Sequence, residues 1–354
     1  MKRFFGILPV AMAALSMMIS CSGGDGGYRA PIFKQEARLD FEILGDEFFG
    51  SPSNIVATDN YLLVSGYTRN GGPTFFVFDK NGNPVRSGIN SGRGPGETIS
   101  GYINMFVDDD TVQYNDVQTG WRLAFSLEEF LKDGTLEIQM EALDLPGWCT
   151  YAMRTPKGDE IRLISRSGKK DLDMPQRTIQ LESEGATYEY TEPAIEDREI
   201  AFFASLQRSI VYSPDGTRMV VSGVPGFILE IFNLEGGIQR KTIKRFLPPA
   251  VTLENGSYTQ NDEYVFGGGN LCTTEKYIYS AYDGERTAKE FRASGMNCLL
   301  YDKIAVFDWD GNPKYLYKSD YRIMSLSVEN DTTVYACLET EDGKHFVGKA
   351  SLKL

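Results

Sequence analysis

The chain has 354 residues, with 49 acidic and 36 basic side chains and one histidine, and its net charge is −13. A surface of this charge repels phosphate backbones and anionic lipid, so it disfavours nucleic-acid binding. A single histidine also excludes a zinc site that is built from several histidines.

The first residues have the three regions of a secretion signal. Lys2 and Arg3 form a positive start, an apolar run without charge continues to Ile19, and a small residue precedes Cys21. A run this short suits a signal peptide better than a membrane-spanning helix. We therefore predict a signal peptide over residues 1–20. The alternative is an ordinary secretory signal that happens to contain a cysteine.

The end of this signal predicts a lipid anchor. Met18–Cys21 resembles a lipobox, the site where the lipoprotein signal peptidase cuts before an acylated cysteine. The resemblance implies that Cys21 carries the lipid. Residues 21–27, rich in glycine and serine, then form a flexible tether. Loss of Lys2 and Arg3 leaves 34 basic residues against 49 acidic ones.

We expect a cell-envelope protein that is lipid-anchored, at the outer membrane, and faces the periplasm or the cell surface. Export to the surface favours an acidic cluster after the cysteine, and the tether holds one acid, Asp25. No later stretch approaches the roughly 20 consecutive apolar residues of a membrane span.

The chain from residue 28 to residue 354 is punctuated like an all-β protein. Runs rich in Val, Ile, Tyr and Phe alternate with Asp-Gly, Asn-Gly and Gly-Gly turns. Residues 75–84, 228–237 and 303–313 are three versions of one phrase, a β run followed by a glycine turn. Repetition of this kind indicates a repeat architecture.

The repeat predicts the number of blades. Anchor positions in the β runs are separated by 48, 54, 52, 75 and 44 residues, and they are Val77, Phe125, Ile179, Ile231, Val306 and Ala350. One propeller blade takes about 40–50 residues. The sequence therefore predicts a six-bladed β-propeller with short helical decorations, in which residues 252–271 are an insertion that lengthens the fifth blade.

A propeller must join its last blade to its first, because an open ring leaves unpaired sheet edges. The alternating segment Arg38–Leu44 is the candidate for the missing strand of the last blade. Two segments break the β rhythm and predict short helices. The first begins at Ser126, has capping-box spacing and stops at Asp133; the second covers residues 193–209.

Two phrases point to a known family. Residues 212–221, with Ser-Pro-Asp-Gly in a hairpin, resemble the SPDG phrase of TolB-like propellers. Residues 92–97 are similar to the G-x-GPGE phrase of the six-bladed TolB-like lipoproteins of Bacteroidetes, which also begin with a lipobox. The resemblance covers nearly the whole chain. It implies a fold and a location, and it implies no catalytic residue.

The second phrase is also the candidate binding loop. Its residues, which could present backbone N–H groups to an anion, are Gly92, Arg93, Gly94, Gly96 and Glu97. The loop lacks the Gly-Lys-Ser/Thr ending of a phosphate-binding loop and precedes no clear helix, so nucleotide binding is disfavoured. The alternative is a tight crossover between two blades.

Catalytic and metal sites find little support. His345, the one candidate base, is expected on the last hairpin as an exposed turn residue. Residues 308–312 lack the spacing of a calcium loop and suit a tight turn. We therefore assign no catalytic residue, no metal ligand and no cofactor. Calcium stays open only through carboxylates that several blades would gather in the central channel.

Cysteines and tryptophans leave alternatives open. No two of the cysteines after Cys21 have C-x-x-C spacing; they are Cys149, Cys272, Cys298 and Cys337. We expect buried small hydrophobic side chains, although an oxidising envelope permits a disulfide. Trp121, Trp148 and Trp309 are candidate stacking platforms for sugars or, alternatively, packing between blades.

The favoured function is a non-enzymatic binding module for a glycan, a peptide or an envelope protein. Propellers suit this role because many loops converge on one rigid surface. The alternative is a hydrolase or lyase that acts on a carbohydrate or lactone with channel-facing carboxylates, with or without calcium. The sequence predicts no oligomeric state.

Overall fold

A computed structural model describes most of the chain from residue 27 onward. The described residues are 27–48, 50–68, 71–99, 104–116, 119–132, 136–143, 149–155, 157–166, 176–191, 208–223, 226–248, 251–254, 257–260, 262–293 and 301–353.

These residues are almost entirely β-structure. The strands are β1 Gln35–Arg38, β2 Glu42–Phe48, β3 Ser51–Ala57, β4 Tyr61–Tyr67, β5 Pro73–Asp79, β6 Pro84–Asn90, β7 Asn104–Asp108, β8 Thr111–Asp116, β9 Trp121–Ser126, β10 Gln139–Ala142, β11 Cys149–Arg154, β12 Glu160–Arg166, β13 Gln176–Ser183, β14 Ala186–Thr191, β15 Arg208–Tyr212, β16 Arg218–Gly223, β17 Phe227–Asn233, β18 Gln239–Leu247, β19 Val251–Glu254, β20 Ser257–Gln260, β21 Gly268–Thr273, β22 Tyr277–Tyr282, β23 Tyr301–Asp308, β24 Pro313–Glu329, β25 Thr333–Glu339 and β26 His345–Ser351. The helices in the described part are α1 Leu127–Leu131 and α2 Ala288–Ala293.

Four blades are separate four-stranded antiparallel sheets, in which neighbouring strands follow one another in the chain. Blade 1 is β3–β6, blade 2 is β7–β10, blade 3 is β11–β14 and blade 4 is β15–β18. The first strands of successive blades contact each other around the ring. For example, Ser209 Oγ of β15 accepts a hydrogen bond from the Leu271 N–H of β21 at 2.9 Å. The first strand of each blade therefore lies innermost.

The last two blades share one long strand. The eight-stranded sheet has the order β2-β26-β25-β24-β23-β22-β21, with β1 on the side of β24. Pro313–Lys318 of β24 pairs with β23, whereas Arg322–Glu329 pairs with β25. Thus β24 is the fourth strand of blade 5 and then the first strand of blade 6. The molecule is a six-bladed propeller.

The repeat anchors all occupy the same place in their blades. They lie in the third strands β5, β9, β13, β17, β23 and β26. The spacing of the anchors thus identified one equivalent strand in every blade. Tertiary context explains why a third strand is apolar, since it is covered by a blade on each side.

The closing strand lies slightly later than the prediction. β2 begins at Glu42 and pairs antiparallel with β26, so Glu42 faces Lys349 and Phe48 faces His345. It is the fourth strand of blade 6. The first residue of the predicted segment, Arg38, instead ends β1, which runs parallel to β24, and residues 39–41 connect the two strands.

One predicted helix is confirmed, and one helix was missed. Ser126 Oγ accepts a hydrogen bond from the Glu129 N–H at 3.1 Å, which caps α1. The second predicted helix, 193–209, lies outside the described residues except at 208–209, which are part of β15. The missed helix α2 follows Thr287, whose hydroxyl accepts a hydrogen bond from the Glu290 N–H at 3.2 Å.

The predicted insertion before blade 5 contains a two-stranded hairpin of its own, β19 and β20. It ends earlier than position 271, because Gly268–Thr273 already pairs with β22 as the first strand of the blade. The connection that contains α2, between β22 and β23, adds further to the 75-residue step between Ile231 and Val306.

Apolar clusters fill the spaces between most neighbouring blades. Among the described residues they join blades 1 and 2, 3 and 4, 4 and 5, 5 and 6, and 6 and 1. Representative members of these five clusters are Phe75, Ile179, Phe307, Val306 and Leu62, in that order. Burial of these side chains is the main favourable term for the fold.

The space between blades 2 and 3 is polar. Arg122 of β9 lies there with 2% of its surface exposed. Its Nε donates to Asn115 Oδ1 at 2.8 Å, and its Nη atoms lie 3.1 Å from carboxylate oxygens of Glu141 and Glu160. Glu160 belongs to blade 3, so a buried ion pair links these two blades where the other described interfaces have apolar clusters.

Replacement of Arg122 by methionine tests this polar interface. Arg122→Met removes the charge but keeps much of the volume. Asn115 Oδ1 and Glu160 Oε2 lose their partner, and among the described residues Glu160 keeps only its ion pair with Arg162 at 3.1 Å within blade 3. We expect the free energy of unfolding in urea to fall by about 3 kcal/mol or more, as for other buried pairs that lose one partner. Arg38→Met is the control, since the Arg38 side chain is 63% exposed beside Asp320 and exposed pairs contribute at most about 1 kcal/mol. Equal losses would contradict the interpretation.

Candidate functional site

The ring has two ends with different connections. Because neighbouring strands are antiparallel, links between second and third strands and links between successive blades emerge at one end, here called the loop end. The longest links all join strands there, and they are residues 91–103, 192–207, 248–267 and 283–300. Links at the other end are mostly short turns, such as 80–83 and 330–332. The loop end is therefore the surface with room for recognition.

The GPGE loop, residues 91–99, lies at the loop end between blades 1 and 2. Its base is closed by backbone hydrogen bonds. The Gly92 N–H donates to the Thr98 carbonyl at 2.9 Å, and the Thr98 N–H donates to the Asn90 carbonyl at 3.1 Å. The loop is therefore a compact crossover between the blades, which was the alternative reading of its sequence.

The interior of the loop is occupied by its own carboxylate. Glu97 Oε2 accepts a hydrogen bond from the Gly94 N–H at 2.7 Å. A Cβ atom on Gly92 would lie 2.0 Å from the same oxygen, so a side chain at this position would have to displace the carboxylate. An outside anion would have to replace this carboxylate. Anion binding by the loop stays a prediction, and Arg93, which is exposed, is its accessible charged residue.

A buried aspartate ties the GPGE loop to the neighbouring connection of blade 2. Asp116 is 1% exposed. Its carboxylate accepts hydrogen bonds from the Ile99 N–H at 3.0 Å and from the Thr119 N–H at 3.2 Å. One side chain at the end of β8 thus fixes two loops relative to each other, which makes this part of the loop end preorganised.

Beside these loops lies an exposed apolar surface. Trp121 is 40% exposed and Met140 is 36% exposed. In the pairing of β9 with β10, Ala142 faces Trp121 and Met140 faces Leu123, so both side chains are on one side of the sheet. The Gly96 N–H contacts Met140 Sδ at 3.2 Å. The surface is here called the blade 1–2 patch, and its members are Arg93, Pro95, Trp121 and Met140.

The other tryptophans are not available in the same way. Trp309 is 6% exposed and its Nε1–H donates to the Thr274 carbonyl at 3.1 Å, so it is part of the packing between blades 4 and 5. Trp148 lies outside the described residues. Of the three candidate stacking platforms, Trp121 is the one that the described structure exposes at the loop end.

His345 lies on the last hairpin, as predicted, but it is not an exposed turn residue. It is the first residue of β26, and 18% of its side chain is exposed. Nε2 lies 3.1 Å from Glu339 Oε2, and Nδ1 contacts the Gly50 carbonyl oxygen. Both ring nitrogens therefore have structural partners, and neither contacts a hydroxyl or thiol among the described residues.

Carboxylates in the turns are likewise engaged. Asp308 Oδ1 accepts hydrogen bonds from the backbone N–H groups of Asp310 and Asn312 at 3.0 and 2.8 Å. Asp79 makes the same pattern in blade 1. Within the described part of the chain, no three His, Cys, Asp or Glu side chains are grouped so that they could hold a metal. Calcium binding stays a prediction.

Two of the four cysteines can be placed. Cys272 and Cys337 are free thiols. Burial raises the pKa of the Cys272 thiol to about 11 and that of Cys337 to about 12, as expected for inert packed side chains. The side chain of Cys149 and all of Cys298 lie outside the described residues, so a disulfide between those two stays untested.

Residues 33–331 match the model of a family that is described as TolB-like, 6-blade propeller-like. The chain belongs to this TolB-like propeller family. The match and the six blades agree, so the fold that the two sequence phrases implied is confirmed. No curated protein matches the chain. No helix among the described residues is both long and apolar enough to cross a membrane.

Several solved structures have a similar fold. A crystallised protein of Bacteroides fragilis, provisionally named as exported, is 14% identical over 90% of this chain and 99% of its own, with a TM-score of 0.52. Raptor of Chaetomium thermophilum is 12% identical over 90% of this chain and 29% of its own, with a TM-score of 0.48. The coronin WD40 domain of Toxoplasma gondii is 9% identical over 92% of this chain and 88% of its own, with a TM-score of 0.44. At 14% identity, the likeness to the Bacteroides fragilis protein shows a shared fold and nothing more.

Removal of the Glu97 carboxylate tests whether this side chain stabilises the GPGE loop from within. In Glu97→Ala the Gly94 N–H loses a charged acceptor, so amide exchange across residues 92–98 should accelerate about tenfold, the equivalent of ~1.4 kcal/mol. Glu235→Ala, in an exposed turn of blade 4, is the control and should leave that segment unchanged. Unchanged exchange in Glu97→Ala would contradict the assigned role. Slow exchange restored by sulfate would support anion binding.

Proposed function

We propose that this protein is a lipid-anchored envelope propeller that binds a glycan, a peptide or an envelope protein without catalysing a reaction. The observation that carries the proposal is the blade 1–2 patch, where Trp121 stands 40% exposed at the loop end. Large aromatic side chains with accessible faces are enriched among the residues that dominate binding energy.

The chemistry of the patch suits a ligand with both apolar and polar faces. The Trp121 indole offers a stacking surface for a sugar ring or an aromatic side chain. Arg93 adds hydrogen-bond donors for hydroxyl or carboxylate groups. Met140 is an adaptable apolar neighbour, because its unbranched side chain can change conformation to fit different shapes.

Rigid support lowers the cost of binding. Glu97 accepts a hydrogen bond from the Gly94 N–H within the GPGE loop. Asp116 accepts hydrogen bonds from Ile99 of that loop and from Thr119 of the neighbouring link, whose hydroxyl donates to the Asp116 backbone carbonyl. Loops that are ordered before the ligand arrives lose little conformational entropy on association. This preorganisation favours a recognition surface over a flexible linker between blades.

Ligand binding is tested with a glycan panel and thermal unfolding. A glycan at a hundred times its dissociation constant should stabilise the protein by about 2.7 kcal/mol. Trp121→Ala should weaken that binding at least about tenfold, as expected for a central aromatic contact. Tyr188→Ala is the matched control, since Tyr188 is 37% exposed on the fourth strand of blade 3. A ligand that binds Trp121→Ala as well as the unaltered protein would place the site elsewhere.

Lipidation is tested by intact mass and cell fractionation. We expect a mature chain that begins at Cys21, carries acyl mass and sediments with membranes. A second version, in which an ordinary cleavable secretion signal replaces residues 1–21, should be recovered in the soluble envelope fraction when the fractions are separated at high salt, which screens contacts between exposed charges and the membrane. If the unaltered protein has no acyl mass, or if the second version still sediments fully with membranes, lipid anchoring is wrong.

A further inference from the structure

The outer edge of blade 4 concentrates positive charge in an acidic protein. Two segments meet there, residues 27–34 and residues 239–245, the latter within β18. Neither contains an acidic residue, and together they contribute six basic side chains, Arg29, Lys34, Arg240, Lys241, Lys244 and Arg245. The whole chain has a net charge of −13. The local charge is therefore opposite in sign to the charge of the molecule.

The fold holds the two segments side by side. The Arg29 N–H donates to the Arg245 carbonyl at 2.9 Å. Tyr28 packs against Ile228 and Ile243 of blade 4. The N-terminal segment is thus attached to the outer strand of blade 4, and its two basic residues add to the four of β18. This combined surface is here called the basic edge.

Among the described residues, Glu230 and Asp310 pair with the basic edge through their carboxylates. Arg240 pairs with Glu230 at 3.2 Å, and Lys241 pairs with Asp310 at 3.0 Å. Lys244 instead contacts the side-chain oxygen of Asn312 at 3.3 Å. Within the described part of the chain, Arg29, Lys34 and Lys244 have no carboxylate at ion-pair distance, so the edge keeps positive charge. The Lys241 side chain is 53% exposed, so an outside anion can reach it.

An apolar side chain projects from the same edge. Ile32 is 87% exposed and lies between Arg29 and Lys34 in the chain. The neighbouring Phe33 packs against Tyr282 and Phe307, and this contact fixes the backbone from which Ile32 projects. An apolar tip flanked by cations is the combination that binds the interface of an anionic bilayer.

We propose that the basic edge lies on an anionic phospholipid surface, with its cations at the headgroups and Ile32 at the acyl boundary. The proposal rests on the lipid anchor at Cys21. The six residues from Ser22 to Gly27 span at most about 20 Å, so an anchored chain holds blade 4 next to the membrane. A basic patch beside a lipid adds electrostatic attraction and fixes the orientation of the domain.

This orientation bears on the binding site. In a ring of six blades, blade 4 lies opposite blade 1. The blade 1–2 patch therefore lies across the ring from the basic edge and from a membrane in contact with that edge. A partner in the aqueous phase can reach Trp121 without competition from lipid, so the membrane contact and the recognition surface are compatible.

Vesicle sedimentation with residues 22–354 tests the proposal. This version contains every strand of the ring and lacks Cys21, so its result is independent of lipidation and of ligand binding at Trp121. At low salt we expect it to bind vesicles that contain phosphatidylglycerol and not vesicles of phosphatidylcholine alone. Raising the salt concentration should release it, because screening weakens contacts between exposed charges.

Charge reversal identifies the surface. Lys241→Glu with Lys244→Glu should lower the partition coefficient on phosphatidylglycerol vesicles at least about tenfold, since each basic residue near the surface contributes ~1 kcal/mol. The control pair is Lys276→Glu with Lys344→Glu, whose side chains are 73% and 50% exposed on blades 5 and 6. It reverses the same number of charges outside the basic edge and should bind several-fold more strongly than the first pair.

A second pair of variants tests the apolar tip. Ile32→Ser should weaken vesicle binding several-fold, whereas Val85→Ser, at a 47% exposed position on the fourth strand of blade 1, should not. Equal binding to both kinds of vesicle, or equal losses in the two charge-reversal pairs, would overturn the proposal. Concentration-dependent self-association through the edge without vesicles, abolished by Lys241→Glu with Lys244→Glu, would assign it to a protein contact instead and would also overturn it.

Discussion

The ring depends on one strand pairing, that of β2 with β26, because it joins the start of the chain to its end. Leu44 and Phe48 of β2 pack into the cluster between blades 6 and 1. Gly45 of β2 lies against the turn of blade 1, where a Cβ atom would be 2.2 Å from the Gly82 carbonyl oxygen. Closure therefore requires the hydrogen bonds between β2 and β26, apolar packing, and glycine at positions 45 and 82, which lie against each other. Without it, blade 6 would expose an unpaired edge.

The same closure decides where the functional surfaces lie. Since β2 enters blade 6 from outside, the chain before it must run along the outer edge of the ring, past blade 4 and then blade 5. Antiparallel pairing within the blades sends the long links to one end. The basic edge and the blade 1–2 patch are thus separated by the geometry of the ring. The polar interface at Arg122 lies on the far side of blade 2 from the patch.

Much of the fold could be predicted because it follows from local pattern. The repeat anchors lie in apolar runs that are followed by turn residues. The cap at Ser126 is marked by Glu129, three positions later in the chain. The same spacing at Thr287 and Glu290 was overlooked, although it marks α2. The contact between Gly96 and Met140 joins residues 44 apart in the chain, so no local signal reports it. Net charge concealed the basic edge, because a sum over the chain says nothing about where opposite charges gather.

The central claim is that the blade 4 edge rests on the membrane while the blade 1–2 patch faces the aqueous phase. Hydrogen exchange of the lipidated protein, compared between detergent and vesicles that contain phosphatidylglycerol, tests both halves at once. The account predicts slower exchange on vesicles in residues 27–34 and 239–245, with no change in residues 91–99. Slower exchange confined to residues 91–99, or no slowing in either segment of the basic edge, would contradict it.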